Sequence, residues 1–217
     1  MRAERILLLG LTLLAACSSS IQPAGFSQQE GANPSLQGKD SDEAARKSLE
    51  FFRQLVRDDN FRALGFESRS EAAEAQLSNP LRVSLVPLDQ LRNYERGSDP
   101  QNLLVEANRM IYPVTVKGQV RSSIVVTRMG ENWQGGSFGD AALAKLLTST
   151  RKSQSDFVVW VPALNVYFVA SLTNNRLVLI PVLDHPNLGL KVGSPYPAED
   201  AFLALVPAAR SYDGSPN

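Results

Sequence analysis

Few side chains in this chain have the chemistry of a nucleophile or a general base. His185 is the only histidine and lies between Asp184 and Pro186. It could serve as the base of a serine–histidine–acid site, but a histidine beside Asp and Pro is typical of a turn. Zinc needs three or four His or Cys ligands, or carboxylates in their place, and no calcium-loop pattern is present. We therefore expect neither a metal site nor a cofactor.

Paired carboxylates are the remaining catalytic option, since two acids can cleave a glycosidic bond. Asp58 and Asp59 are adjacent, so on a helix they would point about 100° apart and would not face one substrate. Four acids that lie far apart in the sequence could converge in the fold, namely Glu106, Asp140, Asp184 and Glu199. A hydrolase that uses carboxylates therefore stays open as an alternative function.

A glycine-rich segment, residues 135–140, runs towards a stretch with helical character. Glycines that lead into a helix can cradle phosphate. This segment lacks the Lys and Ser/Thr of a nucleotide-binding loop and the spacing of a dinucleotide-binding turn. It predicts a bulged strand end that turns sharply into a helix capped by Asp140.

The surroundings of Cys17, the only cysteine, predict a different role for its thiol. A short basic start precedes the apolar run 6–14, which is the pattern of a secretory signal peptide. A membrane-spanning helix would need about 20 apolar residues, and three serines follow Cys17 at once. Residues 14–17 read Leu-Ala-Ala-Cys and resemble the lipobox of bacterial lipoproteins. The resemblance implies cleavage between Ala16 and Cys17 and fatty acylation of Cys17, with diacylglycerol on its sulfur.

This resemblance also implies a location. We expect residues 1–16 to be removed and the mature protein to be anchored by lipid on the outer side of a membrane. Two or more acyl chains hold a protein far more firmly than one. In a Gram-negative cell, Ser18 in place of an aspartate favours the outer membrane. An exported chain with one cysteine forms no disulfide within itself, which fits a cysteine used as a lipid carrier.

The charge balance limits the class of partner. The chain has 22 Lys and Arg against 22 Asp and Glu, and its formal net charge at pH 7 is zero. A nucleic-acid-binding domain would show a basic patch or stripe, and none is evident. We expect a protein partner at the membrane and no nucleic acid.

Composition divides the mature chain into three parts. Residues 17–40 are rich in Ser, Gln, Gly and Pro and predict a flexible tether that reaches about 25 Å. Residues 41–212 predict one globular domain, with a possible internal boundary at 149–156. Residues 213–217 predict a frayed tail.

The domain begins with a predicted amphipathic helix, about 42–64. Five apolar residues fall on one stripe at helical spacing: Ala45, Leu49, Phe52, Val56 and Ala63. Arg46, Arg53 and Arg57 lie on the opposite side. Such a charged face is usually solvated, and binding of a partner or of lipid head groups is the alternative.

The rest of the domain predicts strands in runs, with helices between them. A short helix at 71–76 and a strand at 82–87 come first. The first predicted meander then comprises strands at 110–117, 119–128 and 133–138, followed by a helix at 141–147. The second comprises strands at 157–161, 166–172 and 176–183, followed by a helix at 198–209. Strands in runs with segregated helices predict an α+β fold with antiparallel meanders and helices packed on one face.

Three functions fit these features. We favour a non-catalytic binding or assembly module of the cell envelope, for which Trp133 and Trp160 would be anchors if exposed. A helix followed by a meander is topologically similar to cystatin-like and propeptide domains, which makes a peptidase-modulating module the first alternative. The second alternative is the carboxylate hydrolase, acting on envelope polymer.

Overall fold

The computed structural model describes residues 36–214, and these lie in one compact unit. The signal peptide, Ala16 and Cys17 fall outside the described residues. The strands are β1 (Gln37–Gly38), β2 (Gln76–Leu77), β3 (Leu81–Leu85), β4 (Val105–Val116), β5 (Gln119–Met129), β6 (Asn132–Gly139), β7 (Phe157–Val161), β8 (Val166–Thr173), β9 (Arg176–Pro181) and β10 (Tyr196–Pro197). The α-helices are α1 (Ser41–Leu55), α2 (Arg69–Ala73), α3 (Leu88–Arg92), α4 (Ala141–Thr150) and α5 (Ala198–Ser211), and short 3-10 helices cover Pro100–Leu103, Pro162–Leu164 and Pro186–Leu188.

Ten strands of the described residues form one mostly antiparallel sheet in the order β1-β6-β5-β4-β3-β7-β8-β9-β10, with β2 paired beside β4. The two predicted meanders are β4-β5-β6 and β7-β8-β9. Strand β3 joins them, because it pairs antiparallel with β4 and parallel with β7. The α+β arrangement of helices around meanders is therefore present, and both meanders share one sheet.

Helix α1 begins at a capping arrangement made by Asp40 and Glu43. The Asp40 side chain accepts a hydrogen bond from the Glu43 backbone N–H at 2.7 Å, and the Glu43 carboxylate accepts one from the Lys39 N–H at 2.9 Å. This reciprocal arrangement satisfies N–H groups that have no partner within the helix. The apolar stripe then faces the sheet, with Leu49 and Phe52 buried.

The predicted length of this first helix is wrong, since α1 ends at Leu55 and not near residue 64. The Asn60 side chain donates to the Leu55 carbonyl at 2.9 Å and accepts from the Arg57 N–H at 2.7 Å. The Asn60 side chain thereby occupies the Leu55 carbonyl and the Arg57 N–H, which would form backbone hydrogen bonds if the helix continued. The chain then passes through turns, and Ala63, predicted for the buried stripe, is exposed.

The two faces of the sheet carry different helices, which corrects the prediction that the helices pack on one face. Neighbouring residues of β4 belong to different cores: Tyr112 packs with α1, whereas Ile111 packs with α4. By the strand pairing, α3 and α5 lie on the α1 side, where they cover β7, β8 and β9. Strands buried on both faces need a helical layer on each side, and this double burial places α4 opposite the other helices.

The predicted tether also ends earlier than residue 40. Leu36 is buried, and Gln37–Gly38 pairs with β6 at the edge of the sheet. The last few residues of that segment therefore belong to the folded body. No helix in the described range 36–214 is long and apolar enough to cross a membrane.

Candidate functional site

Three of the four acids considered as a catalytic pair accept hydrogen bonds from backbone N–H groups. Asp140 accepts a hydrogen bond from the Leu143 N–H at 3.0 Å, Asp184 from the Val192 N–H at 2.7 Å, and Glu199 from the Gly97 N–H at 2.8 Å. Glu106 is exposed on β4. Within residues 36–214 no group of three or more His, Cys, Asp or Glu side chains could hold a metal ion. Asp140, Asp184 and Glu199 thus each accept a hydrogen bond from a different backbone segment.

His185 lies in a closed turn, as its neighbours predict. Its N–H donates to the Leu190 carbonyl at 2.9 Å, and the Leu190 N–H donates back to the His185 carbonyl at 3.2 Å. Burial lowers the pKa of the His185 imidazole, and the Asp184 carboxylate opposes this effect without reversing it. Its Nε2 atom is buried and has no hydrogen-bond partner in the described structure. No nucleophile is bonded to this ring.

The glycine-rich segment forms the predicted bulged strand end. The pairing of β5 with β6 shifts between Ile124 and Val126, and Asp140 then adopts a left-handed conformation with φ 50° and caps α4. Residues 135–139 also have the Gly-x-Ser-x-Gly spacing of a nucleophile turn, with Ser137 as its serine. A nucleophile turn places the serine at the junction of strand and helix. Here Ser137 lies within β6 and Asp140 occupies the junction.

The three arginines predicted on the outer face of the first helix differ in their contacts. Arg53 pairs with Glu50 at 2.8 Å and donates from Nη2 to the Ala75 carbonyl at 2.5 Å, so it ties α1 to the segment before β2. Arg46 is exposed on α1, whereas Arg57 lies beyond the end of the helix.

The two tryptophans lie in different environments. Trp133 is half-buried on β6 and packs against the core beneath α1. Trp160 is half-buried on β7, on the face that carries α4. Its ring stacks on Tyr167 of β8, with centroids 5.6 Å apart and planes 8° apart. The Arg109 guanidinium lies 5.4 Å from the centroid of the Trp160 ring, a cation–π distance.

This stack lies on a part of the sheet that α4 does not cover. Helix α4 packs over Leu81, Val83, Ile111, Val158 and Val169. Beyond them, on the same face, six side chains form what we call the open sheet surface: Leu85, Val105, Arg109, Thr127, Trp160 and Tyr167. The pairing of neighbouring strands fixes their common side, since Leu85 is opposite both Val105 and Trp160, and Arg109 is opposite Thr127. Val105 is 41% exposed, and the other five are half-buried.

Two polar groups of the open sheet surface lack partners in the described structure. Arg109 makes no ion pair or hydrogen bond among residues 36–214, and Trp160 Nε1 is buried without an acceptor. Burial raises the pKa of the Tyr167 hydroxyl; the Asp140 carboxylate raises it further, and Arg109 opposes the shift. The surface thus combines apolar area with a guanidinium that has no anion. These groups suit binding and offer no nucleophile.

The open sheet surface was visible in the sequence only through Trp160. Leu85 and Trp160 belong to strands that were predicted, but their adjacency depends on the parallel pairing of β3 with β7. Arg109 lies just before the predicted strand at 110–117. Because it is two residues from Ile111, extending that strand by one residue would place both side chains on the same face of the sheet.

Two shallow pockets lie outside the open sheet surface. One, of about 540 Å³, is lined by residues of α3 and the following loop, where Tyr94 donates to the Ser98 carbonyl at 2.9 Å and Asp99 accepts from the Gln101 N–H. The other, of about 350 Å³, is lined by Arg121, which already pairs with Glu67 and Glu71, and by Lys145. In the second pocket, Thr148 Oγ1 is buried and has no hydrogen-bond partner among residues 36–214.

Comparison of the chain with protein-family models, with curated proteins and with solved structures gave no match.

Proposed function

We propose that this chain is a bacterial envelope lipoprotein, anchored through Cys17, whose folded body is a non-catalytic binding module. The observation that carries the proposal is the Leu-Ala-Ala-Cys segment at residues 14–17, directly after an apolar run of signal-peptide length. In this proposal residues 1–16 are removed, and acyl chains on Cys17 hold the protein at a membrane. Where the source is Gram-negative, Ser18 favours the outer membrane.

The balance of charge and the single cysteine support this proposal. A body with equal numbers of acidic and basic residues has little electrostatic attraction to a membrane, so lipid supplies the anchoring. Each buried methylene of an acyl chain contributes about 0.8 kcal/mol, and two or more chains make the attachment stable. A lone thiol in an oxidising compartment would be reactive, and acylation removes that reactivity.

Binding is favoured over catalysis by the groups on the open sheet surface. Trp and Arg are enriched among the residues that dominate binding energy at protein interfaces. Trp160, Tyr167 and Arg109 lie together beside exposed Val105. The alternative of a carboxylate hydrolase would need two acids that face one substrate, and the acids named from the sequence instead hold separate backbone groups.

Replacement of Cys17 tests the anchor. We expect the wild-type chain, expressed in a Gram-negative host, to incorporate labelled palmitate and to enter the detergent phase of a detergent–water partition. Cys17→Ser removes the acylated sulfur, so we expect labelling to be lost entirely and the mature body to leave the membrane fraction. Labelling is the decisive readout, because an uncleaved leader could hold the variant at the membrane.

Ser19→Ala is the matched control, since it changes a neighbouring hydroxyl and leaves the Leu-Ala-Ala-Cys segment intact. This control should label like the wild type. Equal palmitate incorporation by the wild type and Cys17→Ser, or no incorporation by either, would contradict the proposal.

A further inference from the structure

The open sheet surface lies on interior strands, which limits what can bind there. Leu85, Trp160 and Tyr167 lie on β3, β7 and β8, each of which has a neighbouring strand on both sides. Residues 105–108 of β4 pair with β3 only, because the pairing of β4 with β5 begins at Arg109. An added strand would need a free edge, so a partner that covers Leu85, Trp160 and Tyr167 must lie on top of the side chains, as a helix does when it packs on a sheet.

Helix α4 shows how this face of the sheet is covered elsewhere. Its Leu143, Leu146 and Leu147 pack on the sheet residues next to the open sheet surface, and Leu147 is fully buried. The helix has ten residues, which at 1.5 Å per residue gives a length of about 15 Å, whereas the sheet is nine strands across. The open sheet surface borders the cluster that α4 buries, and its Val105 remains 41% exposed.

The aromatic stack argues against a sugar as the occupant. Sugars bind to a free face of an aromatic ring. One face of Trp160 is stacked on Tyr167, and the Arg109 guanidinium lies over the ring at 5.4 Å from its centroid. The contacts that remain open are the edges of the rings, the aliphatic side chains and the guanidinium N–H groups.

The charge of the surface specifies the partner's chemistry. Arg109 is half-buried, carries a permanent positive charge and has no anionic or carbonyl partner among residues 36–214. Asp140 is the acid that influences Tyr167 nearby, and one of its oxygens is used to cap α4. A carboxylate from outside would give the guanidinium the paired hydrogen bonds it lacks.

We infer that the open sheet surface binds an amphipathic helix of a partner protein, and that this helix places a carboxylate against Arg109. Its apolar side chains pack on Leu85, Val105 and Trp160 next to α4, and its acid pairs with the guanidinium. The inference deepens the proposed binding function and rests on it.

Synthetic helical peptides provide the probe. Two peptides share an apolar face of leucines at helical spacing and differ at one central position of that face, which is Glu in one and Lys in the other. The protein is the full chain with Cys17→Ser, so that no lipid competes, and with Trp133→Phe, so that Trp160 reports alone. The measurement is the change in Trp160 fluorescence as each peptide is added.

We expect the Glu peptide to bind at least about tenfold more tightly than the Lys peptide, which corresponds to about 1.4 kcal/mol. Arg109→Glu should reverse this preference, and Arg109→Gln should abolish it. Arg82→Glu is the matched control. Arg82 also lies over an aromatic ring, that of Phe157 at 5.1 Å, but on the opposite face of the sheet, so the preference should remain.

Three results would overturn the inference. They are an absence of binding by the Glu peptide, equal affinity for both peptides, and an Arg82 variant that changes the preference as much as the Arg109 variants do. A dimer in sedimentation that Arg109→Glu dissociates would also overturn it, because the occupant would then be a second copy of this chain.

The two proposals can fail separately. Absence of palmitate labelling in the wild-type chain would defeat the anchor and leave the charge preference of the peptides untouched. Equal peptide affinities with normal labelling would defeat the helix inference and leave the anchor in place.

Discussion

Gly65→Ala is expected to destabilise the fold more than any other substitution of a single small residue considered for this chain. Gly65 has φ +95°, and a Cβ added there would lie 1.8 Å from the Arg121 backbone carbonyl oxygen. The alanine would adopt a strained conformation and would also displace a strand of the sheet. We expect a loss of about 3–5 kcal/mol in the free energy of unfolding, measured by urea denaturation.

The effect is large because the obstructing atom is backbone. Arg121 belongs to β5, and its side chain is held by Glu67 at 2.7 Å and by Glu71 at 2.8 Å, so the strand cannot move without breaking this ion-pair cluster. Glu71 and Arg121 are largely buried, and breaking such a pair is costly. Most small domains are stable by only about 5–15 kcal/mol, so the variant is expected near the limit of folding.

Gly118→Ala is a control that measures the cost of backbone strain without a steric clash. Gly118 also has positive φ, at +79°, but no atom lies within 4 Å of the position of an added Cβ. This control should lose only the roughly 1–2 kcal/mol that a left-handed conformation costs an alanine. Equal losses for the two variants would show that Gly65 does not approach β5 as described.

Phe52→Ala is the second substitution expected to have a large effect. Phe52 is fully buried on the sheet side of α1, with its ring centroid 5.1 Å from that of Phe138 and 5.6 Å from that of Phe66. Its removal would lose apolar burial and leave a cavity between α1 and the sheet. We expect a loss of about 3–5 kcal/mol, measured as the shift in the denaturation midpoint at constant slope.

The adjacent Phe51 provides the matched control. It is half-buried, and its ring is 6.1 Å from that of Phe138, so Phe51→Ala should cost less than about half as much. A Phe51 variant that is as unstable as the Phe52 variant would mean that α1 presents a different side to the sheet.

The local elements could be predicted from the sequence because short-range chemistry fixes them. The alternation of apolar residues located both meanders, and Asp40, Ser68 and Asp140 cap α1, α2 and α4 through their side chains. The end of α1 was missed because the competing signal was a single side chain. Asn60 bonds the backbone of Leu55 and Arg57, and helical periodicity does not reveal such bonds.

The arrangement of those elements depended on contacts that periodicity cannot show. The short strand β3 joins the two meanders through a parallel pairing with β7, although 71 residues lie between Leu85, the last residue of β3, and Phe157, the first residue of β7. That pairing decides which side chains meet on the open sheet surface. Trp160 could be named from the sequence as a residue suited to binding, but its stack with Tyr167 and Arg109 required the topology.

The proposed molecule combines a lipid anchor at Cys17 with a folded body that carries the open sheet surface. A tether before residue 36 would let the body stand away from the membrane, with its open sheet surface free to meet a partner. The neutral charge of the chain suits this arrangement, because specificity would come from Arg109 and its apolar surroundings and not from a broad electrostatic field.

The most direct test of the anchor, on which the account depends, is the mass of the N-terminal fragment of the mature protein isolated from its own membrane. We predict a fragment that begins at Cys17 and carries diacylglycerol on the sulfur. A fragment that begins at any other residue, or one that begins at Cys17 with an unmodified thiol, would contradict it.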